Sequence, residues 1–119
     1  MTTEELELSI LAAKTLGIEL QHIEGTGWVY WPEGGGDFHF WYPADDDGDS
    51  RRLEVECNMC VTQFHKDGDV WASARRDGTT VPGPVHHIER YADHGGDKAK
   101  ATRWAVLRAA AARGSALGG

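Results

Sequence analysis

Two cysteines stand at a spacing that can bind metal or form a redox pair. Cys57 and Cys60 enclose two residues, the spacing of a zinc half-site. A tetrahedral zinc site needs two more ligands, and no second pair has the usual His-x₃₋₅-His spacing, although four histidines follow: His65, His86, His87 and His94. We therefore predict that the chain folds without metal or cofactor and that both cysteines pack as small core residues, with zinc and redox pairing as weaker alternatives.

A second group of chemical interest is a run of carboxylates that we call the acidic turn. Its members are Asp45, Asp46, Asp47 and Asp49. Burial of an unpaired charge is costly, so we expect the acidic turn to face solvent and to contact a partner. Asp47 or Asp49 is the expected N-cap of a following helix. A calcium loop is a weaker alternative, because its first position would be Pro43, which has no side-chain ligand.

The clearest predicted element is a helix over residues 97–113. Its residues are good helix formers, and Gly114 stands where a left-handed cap favours glycine. A helical wheel gives a core face of Ala99, Thr102, Val106, Ala109 and Ala110. The opposite face carries Lys100, Trp104, Arg108 and Ala111. We expect Trp104 to be partly exposed, and it either folds over Lys100 and Arg108, is covered by a loop, or is available to a partner.

The first half of the chain predicts two helices around an aromatic hairpin. The first helix runs from Thr2 to about Leu16, with Thr2 as its cap and with a stripe of Leu6, Ile10 and Ala13. The hairpin consists of residues 28–31 and 38–42 around a glycine turn. Phe38, Phe40 and Tyr42 share one of its faces and His39 and Trp41 the other, and we expect most of these aromatics in the core. The second helix spans about Gly48 to Cys57, with Leu53 and Cys57 inward.

The second half predicts another hairpin, of residues 60–65 and 70–75 around an Asp-Gly turn. Residues 79–81 are a further extended piece, and residues 85–91 are a short strand or a helical turn. The fold class is therefore α+β, a single domain over residues 1–119 with a frayed tail at 115–119. We expect a mostly antiparallel sheet of four or five strands packed by three helices, as in an α/β/α sandwich.

Charge is unevenly distributed along the chain. Residues 1–56 contain 13 acidic and 3 basic residues, and residues 57–119 contain 6 acidic and 9 basic residues. The net charge of the whole chain is −7. An acidic protein does not bind nucleic acid through bulk charge, but it can bind a basic protein surface. The sequence has no apolar run that would span a membrane and no signal-peptide pattern, so we expect a cytoplasmic protein.

Two stretches resemble a family of small proteins from tailed phages and prophages, the phage ABA sandwich domain. The first stretch is residues 41–53, which run from Trp-Tyr-Pro through the acidic turn to Arg-Arg-Leu. It is similar to a family segment that begins with Trp-Asn-Pro, continues with acidic residues and ends with Gly-Asp-Ala-x-Arg-Leu. Residues 93–112 are similar to the family's closing helix with Ala-Thr-Arg and Arg-Ala-Ala-Ala. The resemblance implies a sheet between helix layers in a phage protein, without catalytic residues to carry over.

No catalytic motif is complete in the sequence. His86 and His87 could form an acid–base pair with Asp93, but the only indication is that they are close in sequence. We therefore expect a protein that is not an enzyme. It would bind a host protein with a basic, nucleic-acid-binding surface and inhibit a bacterial defence system, in the manner of an anti-CRISPR. The predicted contacts are the acidic turn with Lys100, Trp104 and Arg108. One alternative is a structural or regulatory phage protein without a host target. Another is a protein that sequesters a nucleotide signal, which we call a nucleotide sponge. A homodimer is compatible with either function. A sponge would bind phosphate through Arg51, Arg52, Arg75 or Arg76.

Overall fold

The computed structural model describes residues 1–74 and 86–117, and it has the predicted α+β class. Its helices are α1 (Thr3–Lys14), α2 (Asp47–Glu56) and α3 (Lys98–Leu117), with a short 3₁₀ helix at Tyr91–His94. Its strands are β1 (Gln21–Ile23), β2 (Gly27–Tyr30), β3 (His39–Phe40), β4 (Met59–Phe64), β5 (Asp69–Ala74) and β6 (His87–Arg90). The alternatives for residues 85–91 are both realised in part, since strand β6 runs directly into the 3₁₀ helix.

The strands form two sheets rather than one. Antiparallel pairing joins β1, β2 and β3 in that order, and β4, β5 and β6 in that order. The predicted sheet of four or five strands is therefore not found among the described residues. Helix α2 lies between the two hairpins in the chain, and the hairpins pair within themselves instead of with each other. The predicted extended piece at residues 79–81 lies outside the described residues.

Helix α3 is the element that the others pack around. It contacts α1, α2, β5, β6 and the 3₁₀ helix. Its buried side chains are Ala101, Ala105, Val106, Leu107, Ala109, Ala110 and Ala111. The predicted core positions Val106, Ala109 and Ala110 are confirmed, whereas Ala99 is exposed and Ala111, placed on the outer face, is buried. A wheel with one apolar stripe fails here because neighbours cover the helix on several sides.

Gly114 does not end α3, contrary to the prediction. The helix continues to Leu117, and Gly114 is buried within its last turns. A Cβ atom at this position would overlap the main-chain carbonyl of Leu11 in α1. The glycine is therefore needed for the close approach of two helices rather than for a left-handed cap.

Helix α1 begins as predicted but buries a different face. The Glu5 N–H donates to Thr2 Oγ1 at 3.1 Å, which confirms the cap. The buried side chains of α1 are Glu5, Ser9, Ala12 and Ala13. The predicted stripe is wrong at Ile10, which is exposed. Small and polar side chains face α3 because the two helices approach closely along their length.

The two faces of the aromatic hairpin were predicted correctly, but their burial was not. Trp41 is fully buried, and its Nε1 donates to the carbonyl oxygen of Ser9 at 3.0 Å. On the other face Trp31, Phe38 and Phe40 are 46%, 38% and 51% exposed. The expectation that most of these aromatics lie in the core is therefore wrong. The described helices contribute to the core around Tyr30 and Trp41, whereas on the opposite face of the β1–β3 sheet Val29 is buried and the rings beside it are exposed.

Candidate functional site

The acidic turn forms the N-terminus of α2, and its cap is Asp46. The Asp46 Oδ2 accepts a hydrogen bond from the Asp49 N–H at 2.8 Å. The prediction of Asp47 or Asp49 as the cap is wrong, because Asp47 is already the first helical residue. Asp45, Asp46 and Asp47 are exposed, as expected from the cost of burying a charge. Three carboxylates therefore face solvent from a rigid helix start.

Asp49 is not part of that exposed group. Its Oδ2 accepts a hydrogen bond from the Tyr42 N–H at 2.9 Å, and the side chain is partly buried. Burial raises the pKa of Asp49, and the Asp46 charge raises it further, while the hydrogen bond from Tyr42 acts in the opposite direction. Asp49 fixes the acidic turn to the end of the aromatic hairpin and does not serve as a surface carboxylate.

An arginine from α3 holds the acidic turn from the other side. Arg103 Nη1 lies 2.8 Å from Asp47 Oδ1, and Arg103 Nε donates to the carbonyl oxygen of Ala44 at 2.9 Å. Sequence reasoning missed this residue, because the two charged partners are 56 positions apart and no local pattern joins them. Helix α3 thus positions the acidic turn directly.

Glu5 connects the acidic turn with the outer face of α3. It is buried, and burial raises its pKa, with a further contribution from the negative charge of Asp45. The charges of the N-terminus and of Lys100 oppose this shift. Glu5 therefore senses the charges of both Asp45 and Lys100, and Lys100 lies one helical turn before Arg103, which contacts Asp47.

Trp104 is partly exposed, as predicted, and it is held between two side chains. Its ring stacks on His94 with centroids 5.9 Å apart, and the Arg108 guanidinium lies 5.2 Å from its centroid. The alternative in which Trp104 packs against Arg108 is therefore correct. Lys100 stays exposed at the edge of the adjoining cleft of about 340 Å³.

Arg108 is committed to two carboxylates. Its Nε lies 3.0 Å from Glu89 Oε1 and its Nη1 lies 2.9 Å from Glu4 Oε1. Burial lowers the pKa of Arg108, but the hydrogen bonds to Glu89 and Glu4 outweigh burial and raise it overall. Glu89 also lies 3.5 Å from His94 Nε2. Of the predicted contacts on α3, Arg108 therefore supports the structure, while Lys100 and the open edge of Trp104 are available to a partner.

The cysteines do not form a metal centre within the described residues. Cys57 is buried in the core at the C-cap of α2 and Cys60 is partly buried on β4. Across residues 1–74 and 86–117, no three His, Cys, Asp or Glu side chains are grouped closely enough to hold a metal ion. The packing role predicted for Cys57 is confirmed.

His86 precedes β6 and packs on Trp71, with ring centroids 5.6 Å apart, and His87 on β6 does not share a cleft with Asp93. His87 lines an apolar cleft with Leu8 and Leu11, whereas Asp93 lines the cleft beside Trp104. Burial lowers the pKa of His87, and the positive charge of Arg108 adds to the effect. The acid–base pair considered from the sequence is therefore not assembled.

A cleft of about 790 Å³ lies beside the aromatic hairpin. It is lined by Arg52, Tyr30, Trp31 and His39, together with two carboxylates, Glu19 and Glu33. Arg52 donates to the Tyr30 hydroxyl, and its guanidinium lies 5.5 Å from the ring centroid. Arg51 points away and pairs with Glu54 at 3.4 Å. Arg75 and Arg76, the other cations considered for phosphate binding, lie outside the described residues.

Comparison with protein-family models, with curated proteins and with solved structures finds no match. The resemblance to the phage ABA sandwich domain therefore stays a prediction from the residues that carry it. Among the helices of the described part of the chain, none is long and apolar enough to cross a membrane.

Proposed function

We propose that this chain is a non-enzymatic, phage-encoded protein that binds a host protein at a basic, nucleic-acid-binding surface and blocks it. The observation that supports this proposal best is the acidic turn, where Asp45, Asp46 and Asp47 are all exposed at the start of one helix. The phage origin comes from the resemblance in residues 41–53 and 93–112, and the anti-CRISPR-like role against a bacterial defence system follows from how small phage proteins without a catalytic site usually act. The target acts in the host cytoplasm, where the protein would meet it.

The geometry of the acidic turn favours recognition of a protein surface. Hydrogen bonds from Tyr42 and Arg103 fix the turn on both sides, so its carboxylates are ordered before a partner arrives. Preorganised groups lose less entropy on binding. Complementary charge also raises the association rate, and salt weakens that effect. Lys100 and Trp104 lie within one helical turn of Arg103 on α3 and provide a place for an acidic or apolar group of the partner.

The experiment starts from capture of a host protein from bacterial lysate with the tagged chain. Kinetics are then measured with the double variant Asp45→Asn and Asp46→Asn. Asparagine caps a helix about as well as aspartate, so α2 should persist. We expect a slower association at low salt, a flatter salt dependence and an unchanged melting temperature.

The matched control removes two charges elsewhere, through Glu7→Gln and Asp67→Asn, both at exposed positions. This control reports the effect of net charge alone. If the control variant slows association as much as the acidic-turn variant does, the acidic turn is not the contact site.

A second candidate function is the nucleotide sponge, which the cleft of about 790 Å³ favours. Arg52 offers a phosphate contact, and Trp31 offers an exposed ring for a base. Glu19 and Glu33 oppose an anion there, which makes this the weaker candidate. Mass spectrometry of small molecules released from the purified protein tests it, with Arg52→Gln as the variant that should release a phosphate-bearing ligand.

A further inference from the structure

One face of the β1–β3 sheet carries a row of aromatic rings that we call the aromatic ladder. Its members are Trp31, Phe38, Phe40 and Tyr42. Neighbouring ring centroids lie 5.9, 5.6 and 6.3 Å apart along the row. Three of the four rings are among the most exposed large apolar side chains of the described residues. A contiguous exposed apolar surface of this kind marks an interaction site.

The charge around the aromatic ladder is mostly negative, and Arg52, which lines the cleft beside Trp31, already lies against Tyr30. Residues 15–50 contain eight carboxylates and no lysine or arginine. The acidic residues are Glu19, Glu24, Glu33, Asp37, Asp45, Asp46, Asp47 and Asp49. A second copy of this chain would bring like charges together, which opposes association. A cationic partner is therefore the favoured occupant of the aromatic ladder.

The aromatic ladder continues directly into the acidic turn. Its last member, Tyr42, donates its N–H to Asp49 Oδ2 at 2.9 Å. The Tyr42 carbonyl oxygen accepts from the N–H groups of Asp45 and Asp46 at 3.0 and 2.8 Å. The rings and the exposed carboxylates therefore adjoin, and one partner segment can contact both.

We propose that the aromatic ladder binds an arginine-bearing segment of a protein partner, whose guanidinium groups stack on the rings and pair with the neighbouring carboxylates. Guanidinium is planar and weakly hydrated and stacks on aromatic faces, whereas the lysine ammonium is strongly hydrated. Among the described residues a guanidinium lies over a ring twice, with Arg52 over Tyr30 and Arg108 over Trp104, and a lysine ammonium does so at Lys98 over Tyr91. The inference rests on the proposed function, because arginine is also the residue that recognises nucleic-acid phosphates.

The test compares a labelled oligo-arginine peptide with an oligo-lysine peptide of the same length, by fluorescence anisotropy at low salt. We expect the arginine peptide to bind more tightly. The variants Trp31→Leu and Phe40→Leu, at exposed positions, should each weaken arginine binding about twofold to fivefold, with a smaller effect on lysine. The control Phe64→Leu removes a ring from the other sheet, where it packs on Trp71 at 5.1 Å, and should change neither affinity.

The acidic-turn variant Asp45→Asn with Asp46→Asn separates this inference from the proposed function. That variant could weaken the binding of both peptides equally while Trp31→Leu and Phe40→Leu leave binding unchanged. In that case the aromatic ladder is not a contact and the inference is wrong, although the acidic turn is still supported as a binding surface. Equal affinity of the two peptides for the unchanged protein would also overturn it. Arginine-selective binding that depends on the rings supports it, even if lysate yields no host protein.

A remaining outcome concerns self-association. Analytical ultracentrifugation of the unchanged protein and of Phe40→Leu gives the oligomeric state. A dimer that the substitution dissociates would show that a second copy covers the aromatic ladder, and it would overturn the inference.

Discussion

Arg103 ties α3 to the acidic turn through two groups of different character. Its Nη1 lies 2.8 Å from the exposed Asp47 carboxylate, and its Nε donates at 2.9 Å to the carbonyl oxygen of Ala44, a fully buried residue. An ion pair with one highly exposed partner contributes little, about 0–1 kcal/mol. A buried carbonyl that loses its donor costs more, about 1–3 kcal/mol. The backbone contact is therefore the stronger of the two.

The first prediction follows from that difference. Arg103→Met should lower the free energy of unfolding by about 1–3 kcal/mol, since the Ala44 carbonyl loses its donor. Asp47→Asn removes the ion pair and keeps the Ala44 contact, so it should cost less than about 1 kcal/mol. Urea denaturation of both variants measures the two costs. Equal losses would mean that the ion pair, and not the backbone contact, holds the turn.

The second prediction concerns Gly114. In an ordinary helix position, alanine is more favourable than glycine by about 1 kcal/mol. Here the new methyl group would meet the carbonyl of Leu11, so Gly114→Ala should destabilise the protein by about 1–3 kcal/mol. Thermal melting measures the change, with Ser115→Ala at the adjoining exposed position as the control. A rise in melting temperature for Gly114→Ala would show that α1 and α3 are further apart than described.

The third prediction is the pH dependence of stability at Glu5. The unfolded chain releases this proton near the ordinary value of 4.5, but burial and Asp45 raise the pKa in the folded protein. Between these two values the unfolded chain binds fewer protons, so stability falls as pH rises, and the penalty is complete above the folded pKa. Glu5→Gln should therefore be more stable than the unchanged protein at neutral pH.

The advantage of Glu5→Gln should shrink as pH falls and should be lost below about 4.5, where the carboxyl is protonated in both states. Denaturant titrations across this pH range provide the measurement. Glu7→Gln, at an exposed position of the same helix, is the control for removal of one charge. An advantage that is constant from acid to neutral pH would exclude ionisation of Glu5 as its cause.

Local patterns in the sequence predicted the elements well and the packing less well. The hairpin around Asp67 and Gly68, the Thr2 cap and the inward positions of Leu53 and Cys57 follow from short-range chemistry, and the structure has them. The separation into two sheets and the burial of Gly114 depend on which elements meet in space. No spacing within one segment carries that information.

The candidate site also contains features that the sequence predicted and features that it did not. Solvent exposure of Asp45 follows from the cost of burying charge, and it was predicted. The positions of Asp46 as cap and of Arg103 as tether depend on the exact start of α2 and on a contact with α3. The exposure of Phe38 and Phe40 was missed because an apolar strand residue looks the same in sequence whether or not a second layer covers it.

The central place of α3 has a consequence for how this protein is made. One hydrophobic cluster contains Val106, Leu107 and Ala110, and the other contains Ala101, Ala105 and Ala109, so each cluster draws on α3. A ribosome synthesises residues 1–97 before this helix, and until α3 emerges neither cluster can close. We therefore expect the nascent chain to expose the apolar faces of both clusters until α3 docks, and exposed apolar surface of this kind favours aggregation.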